Sequence, residues 1–462
     1  MTTTTKKNTT TTTTTSPARA SSAPAAAVRR PGPAGSLLLV ESNHAIPLVY
    51  VAVAARGGFS SDPHRQDGLT NLAAELARRG AGPRTREQID AALDELGATL
   101  DVETDADAVR FAGHVLARNL DAFLAILGDI VVRPQLGEAE LARTRREIAA
   151  QIDESRNDDQ ALCARFFARN LYGDHPYGRS ADGTRASLDA LKVDEVAAHF
   201  RRQFVGKNLI FAATGDVEPT DLAARLGRAF VGLREGPADK QPPLRTPVPP
   251  SGWRVQLVDK PDRQQTQIMF GHAGPPATDP DFVALQVALS AFGGHGMTST
   301  LMDEIRTRRG LAYGAYMTLS ERRGAGAVAG WVFSSNDKVV ATLKLVLKLY
   351  VSFMEKGLDE ARVGLFRSFL AGSYASEMDA PEHRLDARLS AELAGLPADF
   401  VDTFAARVRA VTARQVNAAI AKHVRARDLA ITMVSTASVM KKLLVDAKIK
   451  DSAIDVVGFE RD

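Results

Sequence analysis

Apolar and polar residues recur along this chain with two different periods, which predicts alternating strands and helices. IPLVYVAVAARGG, from Ile46, is apolar and β-branched and reads as a strand. GLTNLAAEL, Gly68 to Leu76, changes to helical spacing. Leu69, Leu72, Ala73 and Leu76 fall on one side, while Asn71 and Glu75, four apart, share another. TREQIDAALDELGA opens with Thr85 three residues before Gln88, in the capping-box arrangement, and Gly97 can end that helix. ATLDVETDADAVRFAGHV alternates as a hairpin, and LDAFLAILGDIVV returns to helix.

The pattern is used twice. LDALKVDEVAAHFRRQFVGKNLIFAATGD matches VRAVTARQVNAAIAKHVRARDLAITMVST, with Val196 on Val416 and Leu209 on Leu429. LGEAELARTRREIAAQI, from Leu136, corresponds to LDEARVGLFRSFLAGSY, from Leu358. Between the copies lies EGPADKQPPLRTPVPPSGW, whose prolines disfavour helix and central strand alike. The expected architecture is α+β: two homologous halves, 36–234 and 254–462, each a mostly antiparallel sheet with helices on one face, joined by a linker at 235–253. Residues 1–35, rich in Thr, Ser, Ala and Pro, lack the apolar surface to fold and are expected to be a disordered tail.

Composition excludes several function classes. Lys and Arg total 58 against 55 Asp and Glu, a net charge of +3, and the basic residues are scattered, which argues against nucleic acid as a partner. No run approaches the roughly 18 apolar residues of a membrane span, and the N-terminus lacks the apolar core of a secretory signal, so a cytoplasmic protein without a membrane partner is expected. The single cysteine, Cys163, excludes an internal disulfide; within ALCARFFARNLYG it reads as a buried small residue of a helix. The nine histidines are too dispersed for an HxxH or HxxxH pair, and no GxSxG stands in the chain.

In a metallopeptidase helix the pair at 71 and 75 would be two histidines, with a nearby glutamate activating water. By itself GLTNLAAEL is an amphipathic helix with a wetter face carrying Asn and Glu. Its surroundings add to this: strand IPLVYVAVAARGGFSSDP, then GLTNLAAEL, then ELARTRREIAAQIDESRNDD, then NLYGDHPYGRSADG. That order resembles the M16 (pitrilysin and mitochondrial processing peptidase, LuxS/MPP-like) family of zinc peptidases, whose helix carries HxxEH. The resemblance places Asn71 and Glu75 at the two histidines and Ala74 at the catalytic glutamate. It places Glu147 at the third ligand, with Glu140 as its supporting glutamate seven residues earlier. Asn71, Glu75 and Glu147 would suit a hard cation better than zinc, and Ala74 leaves no general base. No zinc is expected in this chain.

GGHGMTSTLMDEIRTRRGLAYGAYM, Gly293 to Met317, carries the remaining chemistry. Thr300 with Asp303 signals a helix start, Leu301 and Ile305 give a buried stripe, and Gly310 can stop the helix. LAYGAYMTL then alternates, which puts Tyr313, Ala315, Met317 and Leu319 on one face of a strand and Arg306 in the last helical turn. An arginine at a helix C-terminus and a tyrosine on a strand are ordinary in themselves. The stretch is similar to the family's C-terminal signature, whose functional Arg and Tyr are also seven residues apart. His295 replaces a residue of the usual glycine-rich run and reads as a loop residue. What the resemblance implies is a subunit without zinc that lends Arg306 and Tyr313, contacts to the scissile peptide and its oxyanion, to a homologous partner carrying HxxEH and zinc. Peptide would be the substrate of that heterodimer. The alternative from the same resemblance is a non-catalytic structural or assembly subunit of core-protein type.

Overall fold

The computed structural model describes residues 27–238, 244–294, 296–449 and 453–461. The first half contains β1 (Val28–Pro31), β2 (Leu37–Ser42), β3 (Leu48–Arg56), β4 (Gly80–Ala81), β5 (Arg84–Thr85), β6 (Thr99–Thr104), β7 (Ala108–Leu116) and β8 (Leu209–Gly215). Six of these form one sheet in the order β1-β2-β8-β3-β7-β6, antiparallel except for β2 beside β8; β4 and β5 make a separate ribbon. The helices are α1 (Leu69–Arg78), α2 (Arg86–Leu96), α3 (Leu120–Val132), α4 (Glu138–Ser155), α5 (Asp159–Tyr172), α6 (Arg185–Ala190), α7 (Val193–Gln203) and α8 (Pro219–Ala229). Thr85 caps α2 with a complete capping box, and Gly97 closes it. All but α5 bury apolar residues against one face of this sheet.

The second half repeats the plan with β9 (Trp253–Asp259), β10 (Gln265–Ala273), β11 (Ala315–Leu319), β12 (Ala327–Ser335), β13 (Leu429–Ser435) and β14 (Ile454–Gly458), in the order β14-β9-β13-β10-β12-β11. Its helices are α9 (Phe282–Gly293), α10 (Val339–Lys356), α11 (Glu360–Glu377), α12 (Pro381–Ala394), α13 (Phe400–Ala410), α14 (Ala413–His423) and α15 (Ala437–Asp446). The repeat read from the sequence is structural: α7 and α14, and β8 and β13, are matched elements at the offset of 220. The chain is α+β in two homologous halves, as expected.

One helix of each half lies on the other half's sheet. Leu162, Cys163 and Phe166 of α5 pack against Val258, Val434 and Val457 of the second sheet. Leu385, Leu389 and Leu393 of α12 pack against Leu39, Ala52, Ala54 and Ile210 of the first. Strand β3 is therefore covered on both faces, Val49, Val51 and Val53 towards its own helices and Ala52 and Ala54 towards α12, which explains its unbroken apolar run. The Cys163 thiol donates to the Thr432 carbonyl at 3.4 Å, and complete burial pushes its pKa up to about 12, so the cysteine is a packing residue. Glu41, 2% exposed, accepts from Arg384 at 2.6 Å and from Arg388 at 3.3 Å, fastening α12 to β2.

Two expected boundaries move. Val28–Pro31, assigned to the disordered tail, pairs with β2 as an edge strand because Leu37 to Val40 offer an unpaired edge; residues 1–26 of that tail lie outside the described residues. The linker ends sooner than its last residue, since Trp253 already pairs with Leu429. Among the described residues no helix is long and apolar enough to cross a membrane.

Candidate functional site

Helix α1 starts from a buried cap. Asp62 accepts from the backbone N–H of Gly68 at 2.8 Å and of Thr70 at 2.9 Å, and from the Thr70 hydroxyl at 2.6 Å. Because that hydroxyl donates to Asp62, the His199 ring donates to it through Nε2 at 2.9 Å, while Nδ1 accepts from Arg202. Burial pushes the Asp62 carboxyl up to about 6 and the His199 imidazole down to about 4. This network fixes where the face bearing Asn71 and Glu75 points.

That face carries no metal-binding chemistry. Asn71 is buried, and its amide donates to Asp182 at 3.3 Å. Ala74 is fully buried in the core between α1 and the sheet. Glu75 and Glu147 do come together, but the guanidinium of Arg79 lies between them, 3.5 Å from Glu75 and 2.5 Å from Glu147. Arg86 at 3.0 Å and Arg143 at 3.4 Å also pair with Glu147. Burial raises the pKa of Glu75, opposed by Arg79; burial acts the same way on Glu147, but the hydrogen bonds from Arg79 and Arg86 prevail and lower it. Zinc takes four tetrahedral donors, mostly imidazole and thiolate. Here an amide, two carboxylates and a guanidinium between them do not fit it, and the same guanidinium stands where the harder cation considered from the sequence would sit. Glu140 does not contact Glu147; its nearest cation is Arg143, at 4.0 Å. The sequence reading missed Arg79, although its position four residues after Glu75 was a visible signal.

Elsewhere among the described residues, Asp279, Asp281 and His423 cluster closely enough to hold an ion. Lys422 already donates to Asp281 at 2.7 Å there, and the group is a salt-bridge network joining α14 to the start of α9.

In the second half, residues Met302–Thr307 form a π-helical turn rather than the end of an α-helix. Thr300 does not cap it, since its hydroxyl donates to the Ala291 carbonyl. Gly310, at φ 56°, reverses the chain as expected. Tyr313 does not enter the strand. Pairing with β12 begins only at Ala315 opposite Val332, so Ala315 and Met317 turn into the core while Tyr313 stands before the strand, 71% exposed. This freedom lets the Tyr313 ring meet Arg306, whose guanidinium carbon lies 4.3 Å from the ring centroid, well inside cation–π range. Arg306 otherwise donates weakly to the Met297 thioether at 3.6 Å, and among the described residues no carboxylate pairs with it. A half-buried guanidinium and an exposed phenol thus form one unit without an internal carboxylate among the described residues. His295, beside this unit in sequence, lies outside the described residues.

The hairpin that follows Tyr313 is held from the first half. The Tyr177 hydroxyl of NLYGDHPYG donates to Asp107 at 2.8 Å and accepts from the Gly324 N–H at 2.9 Å, while the Tyr172 hydroxyl donates to Ala325 at 3.0 Å. At the other end, a Cβ on Gly293 would lie 2.7 Å from the Met317 backbone nitrogen, so α9 and β11 touch at backbone distance. Arg306 and Tyr313 are set between two rigid supports.

Comparison with known proteins agrees with this anatomy. Residues 37–185 match the family model described as Insulinase (Peptidase family M16), and residues 190–367 match that described as Peptidase M16 inactive domain. Non-peptidase homolog YmxG of Helicobacter pylori is 24% identical over 400 residues, covering 86% of this chain and 91% of that protein. Uncharacterized zinc protease Rv2782c of Mycobacterium tuberculosis is 24% identical over 397 residues, 86% of this chain and 90% of the relative. Among solved structures, a peptidase M16 inactive domain from Pseudomonas fluorescens superposes with a TM-score of 0.79 at 22% identity, over 89% of this chain and 98% of that one. A chain of complex III2 from Candida albicans shares the fold as well, with a TM-score of 0.75 at 14% identity over 89% and 97%. The paired matches span most of the chain, and on them it belongs to peptidase family M16.

Proposed function

We propose that this chain is the zinc-lacking subunit of a heterodimeric M16 peptidase, and that Arg306 and Tyr313 complete an active site whose HxxEH helix and zinc belong to a homologous partner. The observation that carries this reading is the Arg306–Tyr313 unit: stacked at 4.3 Å, partly open to solvent, and without an internal carboxylate to satisfy the guanidinium. Such a charge is available for an acceptor brought from outside. Arginine remains protonated and presents forked donors, and the phenol adds one donor on a rigid ring. Aimed at a scissile carbonyl, the two would favour the oxyanion as its charge develops. In the partner, zinc would polarise that carbonyl and lower the pKa of the attacking water.

The adjoining strand suits a peptide substrate. β11 is the outermost strand of the second sheet, so an extended peptide can add to its free edge while its carbonyls pass the Arg306–Tyr313 unit. The Arg79 brace supports the other half of this division of labour, since its guanidinium lies between Glu75 and Glu147, where the partner would hold its metal.

The test is reconstitution. Purified alone, this chain should carry substoichiometric zinc and leave peptides uncut; with a homologue bearing HxxEH it should form a stable complex that hydrolyses them. A complex that forms but cleaves no faster than the homologue alone would favour the assembly-subunit alternative.

A further inference from the structure

The repeat supplies each half with a reference, and one groove differs between them. α3 and α10 begin at Leu120 and Val339, which matches Gly128 with Leu347. In the first half α3 closes directly onto α8: a Cβ at Gly128 would lie 2.2 Å from the Ala229 carbonyl oxygen. Leu347 forbids that approach, and α10 and α15 instead flank a groove of about 570 Å³. Its floor is Leu343, Leu347, Val351, Leu444 and Ile449, with the 39% exposed ring of Trp253 at the edge.

The rim is cationic. Lys344, Lys348 and Lys356 line it along α10, with Lys448 beyond the end of α15, and none of them has a carboxylate partner among the described residues. The one acid lining the groove, Glu355, is already paired with Arg427 at 2.5 Å. At the positions matching Lys344 and Lys348 the first half has Ala125 and Asp129, so this charge belongs to the second half alone. The α10 lining runs from Val340 to Lys356, about 24 Å at the helical rise. An unbranched alkyl chain can lie along that length, with its apolar body on the leucine and valine floor. An apolar floor with a few charged groups at its margin is the usual form of a small-ligand site, and the volume is in the usual range.

We infer that the groove between α10 and α15 binds a long-chain carboxylate, with the alkyl chain along the Leu343–Leu347–Val351 floor and the carboxylate at the lysine rim. The occupant is a free amphipathic acid. The lysines choose the sign of the head group and the floor chooses a long apolar tail.

Trp253 makes the site observable, because the chain has two tryptophans and Trp331 sits away from the groove, stacked on Tyr316 at 5.8 Å. In a Trp331→Phe background, oleate added below its micelle concentration should shift Trp253 emission saturably with one site per chain. Lys344→Glu with Lys348→Glu should raise the apparent Kd at least tenfold, oleate methyl ester should bind at least tenfold more weakly than the acid, and Ala447→Phe should fill the groove and remove the signal. The charge variants are on the surface, so melting curves will confirm their fold if Ala447→Phe fails to express. Ester binding as tightly as acid, indifference to the charge reversals, or a saturable response to an acidic amphipathic peptide with none to oleate would each overturn the assignment.

Discussion

Arg79 and Arg306 are both arginines near the end of a short helical segment, and the structure gives them opposite roles. Arg79, 11% exposed at its side chain, is engaged by Glu75 and Glu147. Arg79→Met should therefore lower stability by about 1–2 kcal/mol in urea denaturation, since it leaves two partly buried carboxylates facing each other with one fewer cation. Arg306 has no internal ion pair, and Arg306→Ala should leave the urea midpoint within about 0.5 kcal/mol of the parent. The altered ligand positions were legible in the sequence, because Asn71, Ala74 and Glu75 fall in register with a motif. The link from Arg79 to Glu147 was not, because the two are 68 residues apart and the i,i+4 pair with Glu75 already gives Arg79 a local explanation.

At the scale of elements, the start of α1 holds two buried groups that titrate in opposite senses. Asp62, raised to about 6, contributes stability present below about pH 4 and lost as pH rises through 6. His199, lowered to about 4, contributes stability present above pH 6.5 and lost as pH falls through 4. Between pH 4 and 6 these two contributions largely cancel. Relative to the parent chain, His199→Gln should therefore lose stability as pH rises across that interval, and Asp62→Asn should gain it, each by about 2–3 kcal/mol at most. Urea midpoints at half-unit pH steps check both signs. Most elements were legible from period and capping, as with Thr85 and Gln88 at the start of α2. Tyr313 was misplaced because alternation continues through LAYGAYMTL, whereas a strand exists only where a neighbour pairs with it, and β12 begins to do so at Ala315. The π-helical turn at Met302–Thr307 has no signature in the hydrophobic pattern.

Across the whole molecule, the repeat and its linker were readable from matched residues such as Val196 and Val416, but the exchange of α5 and α12 between halves was not. A helix pattern reports that one face is buried and not which sheet buries it. The exchange makes each half's core depend on the other, so heat should unfold the chain in one calorimetric transition. Glu41→Gln should lower that transition by about 2–4 kcal/mol, because Arg384 and Arg388 would keep their charges in a buried place without the carboxylate between them. Two resolved transitions would show that the halves fold independently. The same interlocking carries the hairpin after Tyr313 on Tyr177 and Asp107 of the first half, so placement of the proposed catalytic pair is a property of the complete chain.

In the proposed heterodimer Arg306 and Tyr313 act on a substrate held with a zinc-bearing partner. The most direct measurement is the peptide hydrolysis rate of the reconstituted pair, compared with pairs made from Arg306→Ala and Tyr313→Phe chains at saturating complex. Complex formation should be unchanged, while kcat should fall by about 100-fold for Arg306→Ala and by about 10-fold or more for Tyr313→Phe, the scale expected when an oxyanion donor is removed. Full activity from both variants in the assembled complex would contradict this role.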